Sequence, residues 1–384
     1  MLLFSCAIAD EVRNVGIAKY AVLEVLQDRT PVRDDISEDA QRIGHFLKDT
    51  VLFADKQTDD YYRVEFEKDK YGWINKKDIE VQAIIPEKRY DAVTKMVFKE
   101  DKKNYFIDIQ TLTKSAYLFE EGSNSLDFTL FDNRYDPYHL KIVNQRGVFK
   151  LPPRYDEKLN INYLNTKPLF GYDIIHSDKG YLLNIKKAPK INPKRPLKGI
   201  KIVIDPGHGG DEFGVESFGL KEKDINLKIS KKLRREFKKK GAKVYMTRKH
   251  DKRTDLYSRI DFAKTKEADI LLSIHQNSLP DPSEIEKKHG TGVYYYQNQS
   301  KPLAESIQKN MLKATGFQDD GVNYRSFALT RPTAQISVLV ECGYLIYKPE
   351  AEKLINRKFQ TKIAKAIVKG TQEYLTDSFS SKTF

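Results

Sequence analysis

Apolar and polar positions along this 384-residue chain follow three successive rhythms. Between residues 20 and 83, short stretches such as AVLEVL, TVLFAD and YYRVEF alternate apolar and polar side chains and are separated by Asp-rich turns. That pattern predicts a small antiparallel β-barrel with Tyr62, Val64 and Phe66 facing one side and Trp73 in its core. From 84 to 185 the text stays strand-like in NYFIDIQ, LDFTLF and YLLNIKK, without a chemical motif, and a second β-rich accessory module is expected there. Residues 186–199, KKAPKINPKRPLKG, set three prolines among lysines, so neither a helix nor a central strand continues through them and they read as a linker.

After residue 199 strands alternate with helices. KGIKIVI is a β-branched strand, and in EKDINLKISKKLRREFKKKG the apolar residues Ile225, Ile229, Leu233 and Phe237 recur four apart as one face of an amphipathic helix, with Gly241 placed to end it. A strand AKVYMTR, a helical DLYSRIDFAKTKE, a buried strand ADILLSIHQN, an edge-like strand GTGVYYYQ, a helix over about 303–315, a strand SVLVECGYL and a last helix over about 349–374 complete the series. Such alternation predicts an α/β domain with a mostly parallel sheet and flanking helices over residues 200–376, followed by a tail at 377–384. Ligands of such sheets gather beyond the carboxyl ends of the strands. His208 follows one of these strands, His275 ends a second, Glu341 lies near the end of a third, and Glu222 opens the amphipathic helix. Two imidazoles and a carboxylate satisfy zinc, which in catalytic sites leaves a fourth position to water. The glycines of DPGHGG, residues 205–210, let the backbone bend His208 inward. Asp205 either orients His208 or caps the turn, and Arg248, Arg259 and Arg331 either meet substrate carboxylates or form structural ion pairs.

Composition narrows the partners. A net charge of +13 favours anionic ligands, yet the lysines are spread along the chain and no RNA- or DNA-binding motif interleaves them with aromatics, so no nucleic acid is expected. Anionic polymers of a cell envelope fit the charge better. Cys6 and Cys342 are the only cysteines and suggest neither a disulfide framework nor a metal site; Cys342 reads as a small buried residue. No run approaches the ~20 apolar residues of a membrane span. MLLFSCAIA ends in the small-x-small pattern of an export cleavage site, so residues 1–19 read as a signal remnant and lead-in.

Two resemblances follow from these motifs. YGWINKKDIEV after YYRVEFEKDK resembles the bacterial SH3-like domains attached to envelope hydrolases, although TPVRDD keeps only part of their usual opening. DPGHGG, GLKEKDINL, VYMTRKHD, SRIDFAK, ADILLSIHQN, GTGVYYY and SVLVECGYL, in that order, resemble the catalytic domain of the zinc-dependent N-acetylmuramoyl-L-alanine amidases. That resemblance implies one zinc ion held by His208, Glu222 and His275, with Glu341 as the catalytic carboxylate. It implies hydrolysis of the amide between the lactyl group of N-acetylmuramic acid and L-alanine in peptidoglycan, by an exported protein of the cell envelope. The opposing reading is a catalytically silent envelope-binding or regulatory protein on the same fold. Gln276 and the run ECGYLIYKPE depart from the family pattern without removing a donor. His45, His139, His176 and His289 lie outside any such motif.

Overall fold

A computed structural model describes residues 12–15, 20–37, 39–67, 69–145 and 147–380. The signal-like segment Met1–Ala9, with Cys6, lies outside the described residues, as do the last four of the tail. Two compact units are resolved, one containing the described residues up to Leu164 together with Ile174–Asn184, the other Asn165–Asp173 and everything from Ile185.

The first unit is built mainly of antiparallel β-structure because its sequence alternates, with Asn133–Arg134 and Lys141–Val143 pairing parallel to Asp91–Glu100. In the strand Tyr61–Glu67, Val64 and Phe66 are buried while Arg63 and Glu65 are only partly so, and Trp73 is buried on the neighbouring strand Lys70–Asn75. Residues 20–85 share one sheet. Further sheets are formed by Asp91–Glu100 paired with Asn104–Thr111 and by Ser125–Leu130 paired with Tyr117–Glu121 and Leu159–Leu164. Aromatic rings join the first sheet to the later strands: Phe66 lies 5.2 Å from Phe131 and Phe46 lies 5.8 Å from Tyr117. This junction uses the Tyr and Phe richness of the second stretch, and it places the two stretches in one unit.

The second unit has one six-stranded mixed sheet. Its elements are β1 (Lys201–Pro206), β2 (Glu216–Ser217), β3 (Leu220–Lys221), α1 (Glu222–Lys239), β4 (Lys243–Met246), α2 (Leu256–Thr265), β5 (Ile270–Asn277), β6 (Thr291–Tyr295), α3 (Lys301–Thr315), β7 (Asp319–Tyr324), β8 (Ile336–Tyr344), α4 (Lys348–Ile355) and α5 (Arg357–Phe379). The sheet order is β4-β1-β5-β8-β6-β7, while β2 and β3 form a separate hairpin. Ile225, Ile229, Leu233 and Phe237 are all buried against this sheet's core, each contributing about 1.5–3 kcal/mol by its burial. Asp255 caps α2 by accepting from the backbone N–H groups of Tyr257 and Ser258.

Three expectations are corrected. The strand in GTGVYYYQ is not at the edge: β6 lies between β8 and β7, antiparallel to β8 and parallel to β7. The edge belongs to β7, whose DDGVNY has one strongly apolar residue and reads locally as a turn. The last helix is two helices, because Asn356 leaves helical geometry (ψ 122°) and its side chain caps α5 through the N–H groups of Lys358 and Phe359. α5 then runs past the expected end to Phe379, which is buried. Within the linker stretch, Leu197 joins the core and Ile191 bridges to Ser380.

Candidate metal centre

Strand register brings the predicted residues together. β1, β5 and β8 are parallel neighbours, so their carboxyl ends share one edge, where His208 follows β1 and His275 pairs in register with Glu341. α1 starts beneath this edge and delivers Glu222 from its first residue. A glutamate at a helix start is ordinarily exposed and answers to the helix dipole. Glu222 instead is 2% exposed and lies between the two imidazoles, with Oε2 at 3.1 Å from His208 Nε2 and Oε1 at 3.0 Å from His275 Nδ1.

The close approach depends on missing side chains. A Cβ on Gly207 would stand 2.2 Å from the His275 ring, and one on Gly214 would stand 2.3 Å from Glu222 Oε2 and 2.6 Å from His208 Cδ2. His208 itself has φ +59°, a left-handed conformation uncommon outside glycine. Its backbone is held there from below. The buried guanidinium of Arg259 donates to the carbonyl oxygens of Pro206 and His208 at 2.9 and 3.1 Å, and that of Arg248 donates to those of Pro206 and Gly207, both at 2.9 Å. Asp205 neutralises Arg259 at 2.8 Å and accepts from Thr247 and Ser273 at 2.5 and 2.9 Å. Asp205 is therefore the anchor of a buried network and makes no hydrogen bond to the His208 ring. Burial raises its pKa, but Arg259 and Thr247 prevail and hold it below the usual carboxylate value. Arg248 and Arg259 are structural, and Arg331 donates to the Ser326 carbonyl at 2.8 Å.

Glu222 is over-determined by donors the sequence did not single out. Oε2 also accepts from Val215 N–H at 2.9 Å, and Oε1 from Gln276 N–H at 3.1 Å and Asn226 Nδ2 at 3.0 Å. Gln276 Nε2 in turn donates to Asn226 Oδ1 at 3.1 Å. The signal for Asn226 was its position one helical turn after Glu222. Burial pushes the Glu222 pKa up, but the hydrogen bonds from His208 and His275 outweigh it and hold the group well below the carboxylate range.

Glu341 contrasts with this. The residue is half-buried, yet its Oε2 is sealed from solvent and has no hydrogen-bond partner among the described residues. Burial, followed by the charges of Glu222 and Asp320, pushes its pKa well above the usual value. Next to it, Asp320 accepts from Tyr344 Oη at 2.9 Å and Asn277 Nδ2 at 3.2 Å. Cys342 is buried with no nucleophilic setting: burial, then Glu341, raises its thiol pKa. His289 pairs with Glu350 at 2.9 Å and stacks on Tyr347, and takes no part in the cluster.

The donor atoms of His208, Glu222 and His275 all lie within 4.8 Å of one another. Two imidazole nitrogens and a carboxylate that approaches each of them at 3.0–3.1 Å, one oxygen to each ring, form a donor set of the kind that holds zinc. A divalent cation there would also supply the counter-charge that the unpartnered Glu341 lacks. A mixed α/β sheet whose strand ends gather such a cluster beside a carboxylate with one sealed, unpartnered oxygen is an arrangement able to hold a divalent metal next to an acid–base group. Residues 202–373 match the profile of the family described as N-acetylmuramoyl-L-alanine amidase, Amidase_3. The protein YqiI of Bacillus subtilis, itself uncharacterised, is 33% identical over 196 residues, covering 50% of this chain and 93% of that protein. The N-acetylmuramoyl-L-alanine amidase LytC of the same organism is 35% identical over 185 residues, covering 47% of this chain and 36% of LytC. The catalytic domain of CwlV, an amidase of Bacillus (Paenibacillus) polymyxa, is similar at 33% identity with a TM-score of 0.43, covering 47% of this chain and 99% of that domain. The chain belongs to the N-acetylmuramoyl-L-alanine amidase family.

Proposed function

We propose that the second unit is a zinc-dependent N-acetylmuramoyl-L-alanine amidase that cleaves peptidoglycan between the lactyl group of muramic acid and L-alanine. The observation that carries this reading is the placement of His208, Glu222 and His275 around a common point, with the unpartnered carboxylate of Glu341 in register beside His275. His208, Glu222 and His275 would hold the metal. Bound there, zinc supplies Lewis acidity toward a carbonyl oxygen or a water molecule. Glu341 takes the proton of the attacking water and returns it to the amine of the leaving L-alanine, breaking the C–N bond with a balanced proton count. Arg248 and Arg259 keep the His208 loop fixed, so the reacting groups need no rearrangement.

The imidazoles of His208 and His275 are 28% and 19% exposed, and between β5 and β6 the only helix is the single turn Pro282–Glu284, so nothing long enough to cover the cluster intervenes. An uncovered site should cleave purified sacculi without an activator. The β-rich unit is read as an envelope-binding module, its first part SH3-like over residues 20–83, with peptidoglycan or an acidic envelope polymer as ligand. An exported location follows from that substrate; no helix among the described residues is long and apolar enough to cross a membrane.

Elemental analysis combined with mass spectrometry of digested peptidoglycan tests the assignment. The wild type should carry one zinc and release whole stem peptides from intact glycan; Glu341→Ala should keep zinc and release none. Shortened stems still attached to sugar would exclude the reading.

A further inference from the structure

The hairpin of β2 and β3 grows directly out of the metal cluster. At its base Glu222 N–H donates to the Val215 carbonyl at 2.9 Å and Lys223 N–H to that of Phe213 at 3.1 Å, while Val215 N–H returns a bond to Glu222 Oε2. Its ladder pairs Glu216 with Lys221 and Ser217 with Leu220, leaving a two-residue turn of Phe218 and Gly219. Both turn residues have positive φ, +52° and +70°. Hairpin turns of this kind favour Asn, Asp or Gly at the first position, since a bulky Cβ is strained there. A phenylalanine at such a site, 57% exposed and in no ring or cation contact among the described residues, serves neither the turn nor the core. Strain retained beside a site, with no structural return, points to a ligand.

The second aromatic of this lip is occupied. Phe213, 38% exposed, has Lys221 Nζ at 3.6 Å and Lys223 Nζ at 4.8 Å from its ring centroid. Phe218 is therefore the free face. At strand rise, the three to four residues separating it from Glu222 span roughly 10 Å, a distance of about two pyranose rings. The bond at the cluster hangs from a sugar within a polymer, so neighbouring rings must extend along the surface on either side. A pyranose presents a flat face of C–H groups that packs on an aromatic ring and needs no charge to do so.

We infer that Phe218 is a glycan-stacking residue that binds a sugar adjoining the muramic acid whose amide is cleaved. The inference rests on the amidase reading for the identity of the polymer. It makes the hairpin a determinant of preference for polymeric over single-sugar substrates.

The test compares wild type, Phe218→Asn and Phe218→Trp in the full chain. Three readouts are taken: cleavage of soluble multi-sugar muramoyl-peptide chains, cleavage of single-sugar N-acetylmuramoyl-peptide, and binding to glycan chains stripped of peptide. Asparagine suits the turn, so Tm should hold or rise. KM on chains and the dissociation constant for bare glycan should each rise about three- to tenfold, the scale of one lost aromatic contact. kcat, and cleavage of the single-sugar substrate, should not change, and Phe218→Trp should behave as wild type. Equal glycan binding by Phe218→Asn and wild type would overturn the inference, as would equal losses on both substrates. If wild type cleaves neither substrate the amidase reading fails, whereas unaltered cleavage and binding by Phe218→Asn sinks the stacking role alone.

Discussion

The two units treat buried charge differently. In the α/β unit Asp205, Glu222 and Glu341 are gathered at one sheet edge, the first two satisfied by arginines, imidazoles and backbone, the third left without a partner. In the β-rich unit the buried acid Asp132 leans on Lys88 Nζ at 3.3 Å, and what joins the sheets is a set of tilted aromatic rings. Among the buried carboxylate oxygens of the α/β unit's described residues, Glu341 Oε2 alone has no partner, which singles it out as the candidate reactive atom. The contrast places the candidate chemistry in the α/β unit.

The sharpest way to break this contrast is at Glu341. Glu341→Gln keeps shape and removes the proton acceptor, so kcat should fall by on the order of 10²–10⁴ with zinc content unchanged by elemental analysis. Chelation of the wild type should abolish activity and added zinc restore it; activity surviving exhaustive chelation would refute the metal site. Next in size is Arg259→Ala, which leaves Asp205 charged and buried without its partner and should cost about 3–5 kcal/mol in denaturant unfolding. The double variant Arg259→Ala with Asp205→Asn should recover part of that loss, and strict additivity would mean the pair is not coupled.

In the β-rich unit, Phe66→Leu should cost roughly 1 kcal/mol through the lost ring contacts to Phe46 and Phe131 and leave zinc content unaltered. A change in zinc content would show that the aromatic junction reaches the cluster. The last effect concerns pH. Burial, partly offset by Lys88, raises the Asp132 pKa to about 6. Because this lies above the unfolded value of about 3.9, the folded state holds the proton more tightly. The group's contribution to stability is complete below pH 4 and lost as pH rises through 6. Asp132→Asn should flatten that segment of the stability profile, and an unchanged slope would rule Asp132 out as its source.

Legibility in the sequence followed the same divide. The stripe of Ile225, Ile229, Leu233 and Phe237 was readable because helix period alone decides it, and His208, His275 and Glu341 because each is an ionisable residue at or near the end of an apolar strand; Glu222, ordinary at a helix start, stood out only through the order of motifs that resembles the amidases. The edge strand β7 was not, since Asp319-Asp320-Gly321 has the local chemistry of a turn and only pairing with β6 makes it extended. The purpose of Arg248 and Arg259 was equally hidden, because a guanidinium's partners here are carbonyls of a loop some 40 to 50 residues away in the chain. The break at Asn356 had a local signal, a capping residue, set inside an otherwise continuous apolar period.

The bridge from Ile191 to Ser380 puts the segment preceding β1 and the end of α5 side by side, reinforced by the Lys167 ammonium on the Phe379 carbonyl at 2.6 Å. From Ile191 onward the chain of this unit forms a spatially closed circuit. Its two ends could be spliced together and the chain reopened elsewhere, at the surface turn following α2 for instance, without disturbing the cluster. The order in which ribosomes deliver His208, Glu222, His275 and Glu341 is thus a matter of ancestry, and their convergence is a property of the sheet.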